Sequence, residues 1–278
     1  MTVVRDKRVL ITGAGHGLGQ AIAERFACAG AEVIVTDRES ARAEAASQSV
    51  NQRGGRGFAF PLDVTSTEQI HALRERINAE RGPIDILVNN AGVVYGGPFL
   101  QVSLERHRAT VEVNLLGVLS VTHIFLPDLI ARPESHIANI ASAAAVIALP
   151  WAVSYMATKG AVLGFSDSLR EELRLQGHRH VGVTAICPSY IDTGLFAGAR
   201  PAHLTRILKA ETVADKVLRA VEWNREMVLL PRTVQMFYRV ARHLPRGLYR
   251  RVCGWLGIST SMAEWRGHAR THPGEPAA

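Results

Sequence analysis

The stretch RVLITGAGHGLG, residues 8–19, runs an apolar strand straight into a glycine-rich turn. Arg8–Thr12 reads as a buried strand, and Ala21–Ala29 behind the turn has helical periodicity. Strand, glycine turn and helix together open a βαβ unit. Glu32–Thr36 (EVIVT) is a second apolar strand ending at Asp37, and residues 39–53 are alanine-rich and helical in pattern. Phe58–Leu62 ends at Asp63, where Thr65 and Glu68 form a capping-box pattern that opens a helix to about Arg81. Ile84–Val88 leads into Asn89-Asn90-Ala91-Gly92, and the long helical region from Ser103 is expected to be interrupted near Pro127. His136–Ala141 ends at Ser142, and the next helix runs to about Gln176. Val181–Cys187 is stopped by Pro188, Thr212–Trp223 is helical, and Met227–Leu230 is a short seventh strand. Most strands are apolar on both faces, which requires a parallel sheet covered on both sides. The expectation is an α/β chain with a three-layer, doubly wound, parallel seven-stranded sheet built by right-handed crossovers. Ligands of such sheets bind outside the carboxyl ends of the strands, near the point where strand order reverses.

Composition narrows the class. The chain has 278 residues, 47% of them hydrophobic, enough for one large domain with a sizeable core. A dinucleotide-binding catalytic domain is expected over 1–231, a basic amphipathic helical extension over 232–267, and a disordered tail over 268–278. Cys28, Cys187 and Cys253 are widely spaced and odd in number, which fits neither a disulfide framework nor a zinc site and suggests the reducing cytoplasm. No metal site is expected. The N-terminus enters the strand pattern at once, so no signal peptide is expected, and no uninterrupted apolar run reads as a bilayer span. Residues 232–270 hold eight arginines against Glu264 alone, a surplus equal to the chain's whole net charge of +7. The basic character belongs to the tail, no nucleic-acid module is visible there, and no nucleic-acid partner is expected.

The glycine spacing is G-x-x-x-G-x-G, with Gly13, Gly17 and Gly19, and Leu18 in the third place of the strict G-x-G-x-x-G pattern. Glycines let the backbone approach a pyrophosphate that rests on the amide-rich start of the next helix. Asp37 follows Gly19 by eighteen residues and ends the second strand, where an acid would accept both ribose hydroxyls of an adenosine. A 2′-phosphate there would meet a like charge at a cost of roughly 4 kcal/mol, which favours NAD over NADP. Arg38 leaves the NADP alternative open. Further along, Ser142, Tyr155 and Lys159 offer a hydroxyl, a phenol and an amine. Tyr155 and Lys159 are i and i+4, one above the other on a helix, and Ser142 would reach them from a strand end. A phenol with an ordinary pKa of about 10 is lowered by a neighbouring ammonium, which suits acid–base work on an alcohol or carbonyl. The same spacing also describes an ordinary surface pair.

Taken together, TGAGHGLG at 12–19, LDV at 62–64, NNAG at 89–92, EVNLLG around Asn114, Ser142, YMATK at 155–159 and CPSYIDTG at 187–194 closely resemble the short-chain dehydrogenase/reductase family, from about residue 7 to 231. The resemblance implies a Rossmann fold and a Tyr155–Lys159–Ser142–Asn114 tetrad. It implies cofactor contacts from Gly13, Gly15, His16, Gly17, Leu18, Gly19, Asp37 and Arg38. It further implies that Asp63 and Val64 flank adenine, that Asn90, Ala91 and Gly92 support the cofactor, and that Pro188, Ile191 and Thr193 approach the nicotinamide. In those roles Tyr155 exchanges the hydroxyl proton, Lys159 holds the nicotinamide ribose, Ser142 bonds the developing carbonyl, and Asn114, similar to the family's helix-breaking asparagine, holds a water linking Lys159 to solvent or marks a structural kink in its helix. Ser189 stands where the family usually has glycine.

The segments expected around a substrate, Val93–Tyr95, Ala143–Trp151 and Tyr190–Phe196, contain Asp192 as their one acid and no base. An anionic substrate would want Arg or Lys, so an apolar secondary or primary alcohol, or the matching carbonyl, is expected. The CPSYIDTG loop and the tail look similar to a branch acting on steroids, retinoids and other lipophilic alcohols. An NADP-dependent carbonyl or 3-oxoacyl reductase is the alternative within the family, a non-catalytic dinucleotide sensor the alternative outside it. Family resemblance implies homodimers or homotetramers through the long helices around 103–130 and 153–176. In the tail, Val234, Phe237, Tyr238 and Ala241 form one apolar stripe with Arg239 and Arg242 off it, and Leu248, Tyr249, Val252, Trp255 and Leu256 form another flanked by Arg250 and Arg251. Three uses are open: packing on its own domain or a neighbouring subunit, covering the substrate mouth, or peripheral contact with an anionic membrane.

Overall fold

The computed structural model describes residues 2–203, 205–241 and 243–266, and the expectations for Arg242 and for 268–278 lie outside the described residues. Seven strands form one sheet: β1 (Arg8–Ile11), β2 (Glu32–Asp37), β3 (Arg56–Pro61), β4 (Ile86–Asn89), β5 (Ser135–Ile140), β6 (Val181–Pro188) and β7 (Met227–Leu230). Their order is β3-β2-β1-β4-β5-β6-β7 and every pairing is parallel, so the doubly wound reading holds. Strand order reverses between β1 and β4. Strands β5 and β6 are buried along their whole length, which accounts for their continuous apolar runs.

Helices α1 (Gly17–Cys28), α2 (Ser40–Gln52) and α7 (Ala210–Glu222) cover one face, where Ile22, Phe26, Val213 and Val217 pack on Val9, Ile11 and Val35. Helices α3 (Thr67–Glu80), α4 (Leu104–Val111), α5 (Gly117–Ile130) and α6 (Val153–Leu175) belong to the other side; there Ile70, Ile77, Phe125 and Leu169 pack on Leu10, Leu87 and Val183. The tail adds α8 (Arg232–Ala241) and α9 (Arg246–Trp255).

Several local expectations are corrected. Helix α1 begins at Gly17, inside the glycine loop, rather than at Ala21. The cap of α3 is Ser66 rather than Thr65, its hydroxyl accepting from Gln69 N at 3.2 Å; Thr65 turns instead to Asp63. The long helix is not broken at Pro127, which lies within α5 near its end. It changes instead over Glu112–Leu116, a π-helical segment between α4 and α5 that contains Asn114. Strands β3, β4 and β5 are displaced by one or two residues from the expected bounds, the ordinary uncertainty of element ends. Leu104–Ile130 is, by length and composition alone, long and apolar enough to cross a bilayer, which the sequence reading did not anticipate; half of its most apolar window is buried within the protein. The apolar stripe of α9 is only partly covered: Tyr249, Val252 and Leu256 are half-buried, while Leu248 and Trp255 are exposed.

Candidate active site

The glycine loop is shaped by contacts that leave no room for side chains. Gly13 and Gly17 have φ of +61° and +56°. A Cβ on Gly19 would lie 2.2 Å from the Gly13 carbonyl oxygen, and one on Gly15 would lie 2.7 Å from Asp37 Oδ2. Helix α1 follows with no side-chain cap from His16 and no acid in its first turn. That uncapped, glycine-lined helix start fits a pyrophosphate, whose oxygens would take the amides that the chain leaves open. Leu18 packs toward the core, while His16 lies exposed at the loop tip.

Asp37 ends β2 and is buried, accepting from Gly15 N and Glu39 N, each at 3.1 Å, with His16 Nδ1 at 3.6 Å. Burial pushes its carboxyl up, but the His16 and amide interactions win and hold it below the usual range, so it is an anion at neutral pH. Arg38 points outward and is exposed. Asp63 accepts from Thr65 N and Oγ1, and Val64 is buried where a Cβ on Gly117 would come within 2.8 Å of it. Asn90 Nδ2 donates to the carbonyls of Thr12 and Gly13, both at 2.9 Å, while Thr12 Oγ1 accepts from the amides of Asn90 and Ala91. The NNAG turn is thereby tied to the glycine loop across the sheet's reversal point. Thr12 was not singled out from sequence, although its place before the loop was a signal.

Beyond the loop, Ser142, Tyr155, Lys159 and Asn114 come together and all are buried. Ser142 leaves the end of β5; its Oγ accepts from Ala144 N at 3.1 Å and donates to the Pro188 carbonyl at 3.4 Å, with the Tyr155 phenol close enough to feel the hydroxyl. Lys159 Nζ donates to the Ile140 carbonyl at 2.8 Å and lies 5.7 Å from the Tyr155 ring centre. The expectation that Lys159 lowers the Tyr155 pKa is not met in this arrangement. Burial pushes the phenol up to about 12 despite the nearby Ser142 hydroxyl, and burial brings the Lys159 amine down to about 8. Asn114 grips Val93 through both main-chain groups, Oδ1 accepting from its N–H and Nδ2 donating to its carbonyl at 2.8 Å each, and also reaches Thr158. After β6, Pro188 pairs with Leu230, Ile191 bridges to Leu208, and Thr193 lies against Gly17, 3.1 Å from where its Cβ would stand.

Residues 7–203 match the family described as short chain dehydrogenase. The chain belongs to that family. The short-chain dehydrogenase is 33% identical over 263 residues to a probable oxidoreductase EphD of Mycobacterium tuberculosis, covering 87% of this chain but 44% of the relative's length. It is 31% identical over 242 residues to human estradiol 17-beta-dehydrogenase 11, covering 87% of this chain and 80% of that one. A short-chain dehydrogenase/reductase from Burkholderia phymatum, solved with NAD, superposes with a TM-score of 0.80 at 26% identity, over 87% of this chain and 95% of that chain. A gluconate 5-dehydrogenase from Burkholderia cenocepacia, solved with NADP and tartrate, gives 0.76 at 26% identity over 84% and 98%.

In this short-chain dehydrogenase, Ser142 opens onto a cavity of ≈ 310 Å³. Its lining includes Ala143, Ile147, Leu149, Tyr190 and Phe196 and, among the described residues, contains no Lys, Arg, Asp or Glu. Seven lining residues lie beyond Pro231, among them Val234, Met236, Phe237 and Leu256, so the tail is part of the wall. The last described stretch then clamps the loop after β6. Tyr190 Oη donates to Ser261 Oγ at 2.8 Å, Trp265 Nε1 donates to the Leu195 carbonyl at 3.2 Å, and His203 N donates to the Leu256 carbonyl at 2.8 Å. Met262 is buried in one cluster with Tyr155, Val94 and Ala144. Sequence reading missed Met262 and Trp265, because these contacts join segments some 70 residues apart.

Proposed function

We propose that this chain is an NAD(H)-dependent oxidoreductase that moves a hydride between the dinucleotide and an apolar secondary or primary alcohol or its carbonyl. The observation that carries the reading is the buried Ser142–Tyr155–Lys159 cluster beside a cavity whose described lining holds no Lys, Arg, Asp or Glu. The bound dinucleotide supplies the hydride acceptor or donor. Tyr155 is the proton carrier for the substrate oxygen, and Ser142 Oγ is the hydrogen-bond donor that steadies that oxygen as its charge develops. Lys159, whose one hydrogen bond among the described residues is to Ile140, has N–H groups left for ribose hydroxyls. Asn114 acts as a positioning residue, holding Val93 on the loop after β4. The ionised, buried Asp37 supports NAD over NADP. Exposed Arg38 beside it favours the second reading, an NADP-dependent carbonyl reductase.

The lipophilic-alcohol branch is supported by the likeness to estradiol 17-beta-dehydrogenase 11 and by the apolar wall. Exposed Leu104, Leu116, Val153 and Leu175 on the α4–α6 side support a homodimer or homotetramer, which sedimentation velocity tests. The three free thiols suit the cytoplasm as its compartment. The deciding experiment is NAD reduction against a panel of apolar alcohols, with NADP and with carboxylated alcohols as comparisons. Turnover confined to carboxylated substrates would refute the apolar reading, and preference for NADP would move the assignment to Arg38.

A further inference from the structure

Helices α8 and α9 carry outward faces that the described residues leave exposed. On α8, Arg232, Met236, Arg239 and Val240 recur at i, i+4, i+7 and i+8 and are all exposed, Met236 at 67% and Val240 at 64%, while Val234 and Ala241 on the opposite side are buried. On α9, Leu248, Arg250, Arg251 and Trp255 are exposed, Trp255 at 75%. The two helices touch through the rings of Phe237 and Tyr249, 6.3 Å apart. Arg232, Arg239, Arg246, Arg250 and Arg251 form no ion pair among the described residues, and from Pro231 to Ala263 the sequence has no acid. Glu264, the next acid, is taken by Arg200 at 2.7 Å.

We propose that α8 and α9 form a docking face for an anionic lipid bilayer, arginines on the headgroups and Trp255, Leu248, Met236 and Val240 in the acyl boundary. Cations interleaved with large exposed apolar side chains match an interface that is anionic outside and apolar beneath. A second copy of this chain is disfavoured, because a self-complementary contact here would set arginines against arginines. Continuity with the cavity adds a second argument: Met236 both lines the cavity and stands on the exposed face, so the cavity's edge lies where lipid would be. An apolar compound dissolved in the bilayer would then enter without crossing water. The docking itself does not depend on which reaction the cavity serves.

The test is co-sedimentation of the full chain with phosphatidylcholine vesicles, with and without phosphatidylserine. Binding is expected with the anionic vesicles at low salt and is lost as salt rises. Removing one arginine should weaken vesicle partition by roughly fivefold, so Arg250→Gln with Arg251→Gln should weaken it by about 25-fold. Trp255→Ser should weaken it again, with thermal midpoint and NADH binding unchanged in all variants. Absence of binding to anionic vesicles, or unaltered binding by the variants, overturns the proposal. So does equal affinity for soluble polyglutamate with no effect of Trp255→Ser, which marks a general polyanion site. A dimer that the arginine changes dissociate likewise overturns it, assigning the face to a second copy.

Discussion

Tyr155 shows how environment overrides a local motif. Its spacing from Lys159 suggested a lowered pKa, but the buried phenol is pushed up to about 12 and the buried amine down to about 8. A phenol so placed is a ready acid for carbonyl reduction and a scarce base for alcohol oxidation. The oxidation rate should therefore climb from about pH 7 to about pH 10 as the phenolate fraction grows, while reduction stays flatter; pH profiles in both directions check this. Tyr155→Phe should lower turnover at least about 100-fold and flatten that profile, with NADH affinity, read by fluorescence, little altered. At the end of β2, Asp37→Ala removes an anion that a 2′-phosphate would meet at a cost of roughly 4 kcal/mol. Relative preference for NADP over NAD, measured as the ratio of kcat/KM values, should rise by up to about 1,000-fold, less where solvent screens the pair.

Segments set these side chains in place. The π-helical Glu112–Leu116 turns Asn114 inward, where it satisfies both polar groups of Val93. Asn114→Ala should leave those groups unpaired at about 1–3 kcal/mol each and lower turnover as well. Urea unfolding gives the first quantity, and Asn114→Asp, which keeps only the acceptor, should recover part of it. The closing stretch around Ser261–Trp265 acts on the other wall. A Cβ on Gly96 would stand 2.8 Å from the Trp265 ring, so the indole seals the loop after β4 as well as the loop after β6. Trp265→Ala should raise KM for large apolar alcohols by roughly tenfold, about 1.4 kcal/mol, with the NADH dissociation constant unmoved. Equal losses on both would mean the indole serves the fold rather than the cavity.

Across the sheet, stability should be sensitive to acid through one buried ring. His136 on β5 is fully buried, with Nε2 at 2.8 Å from Thr184 Oγ1, and fits because Gly182 has no side chain. Burial, aided by Arg170, lowers its pKa from 6.5 to about 3. Between those values the unfolded chain takes up a proton that the folded chain refuses. Its contribution is therefore present above about pH 6.5 and is lost as pH falls toward 3, at up to about 1.4 kcal/mol per pH unit. Chemical denaturation at stepped pH should show this slope, and His136→Gln should reduce it by about one proton.

Strand and helix alternation, both-face apolar strands, the glycine loop, Asp37 and the Y-x-x-x-K pair were legible along the chain, because period, turn chemistry and helix spacing are local quantities. Those features sufficed for a parallel sheet with its residues of interest at the carboxyl ends, as found. The Ser66 cap was read less well, since Thr65 offered the stronger local signal, and the break expected at Pro127 did not form; the helix-breaking reading of Asn114, which came from the family resemblance, matches the π-helical segment found there. The tail was the least legible part. Its two amphipathic patterns left three uses open, and the choice of Val234, Met236, Leu256 and Met262 as cavity wall or neighbouring core depended on their meeting Ser142, Tyr190 and Tyr155 in space. Burial likewise set the proton affinities of Tyr155, Lys159 and His136, because desolvation depends on every segment packed around a group and not on its neighbours in sequence.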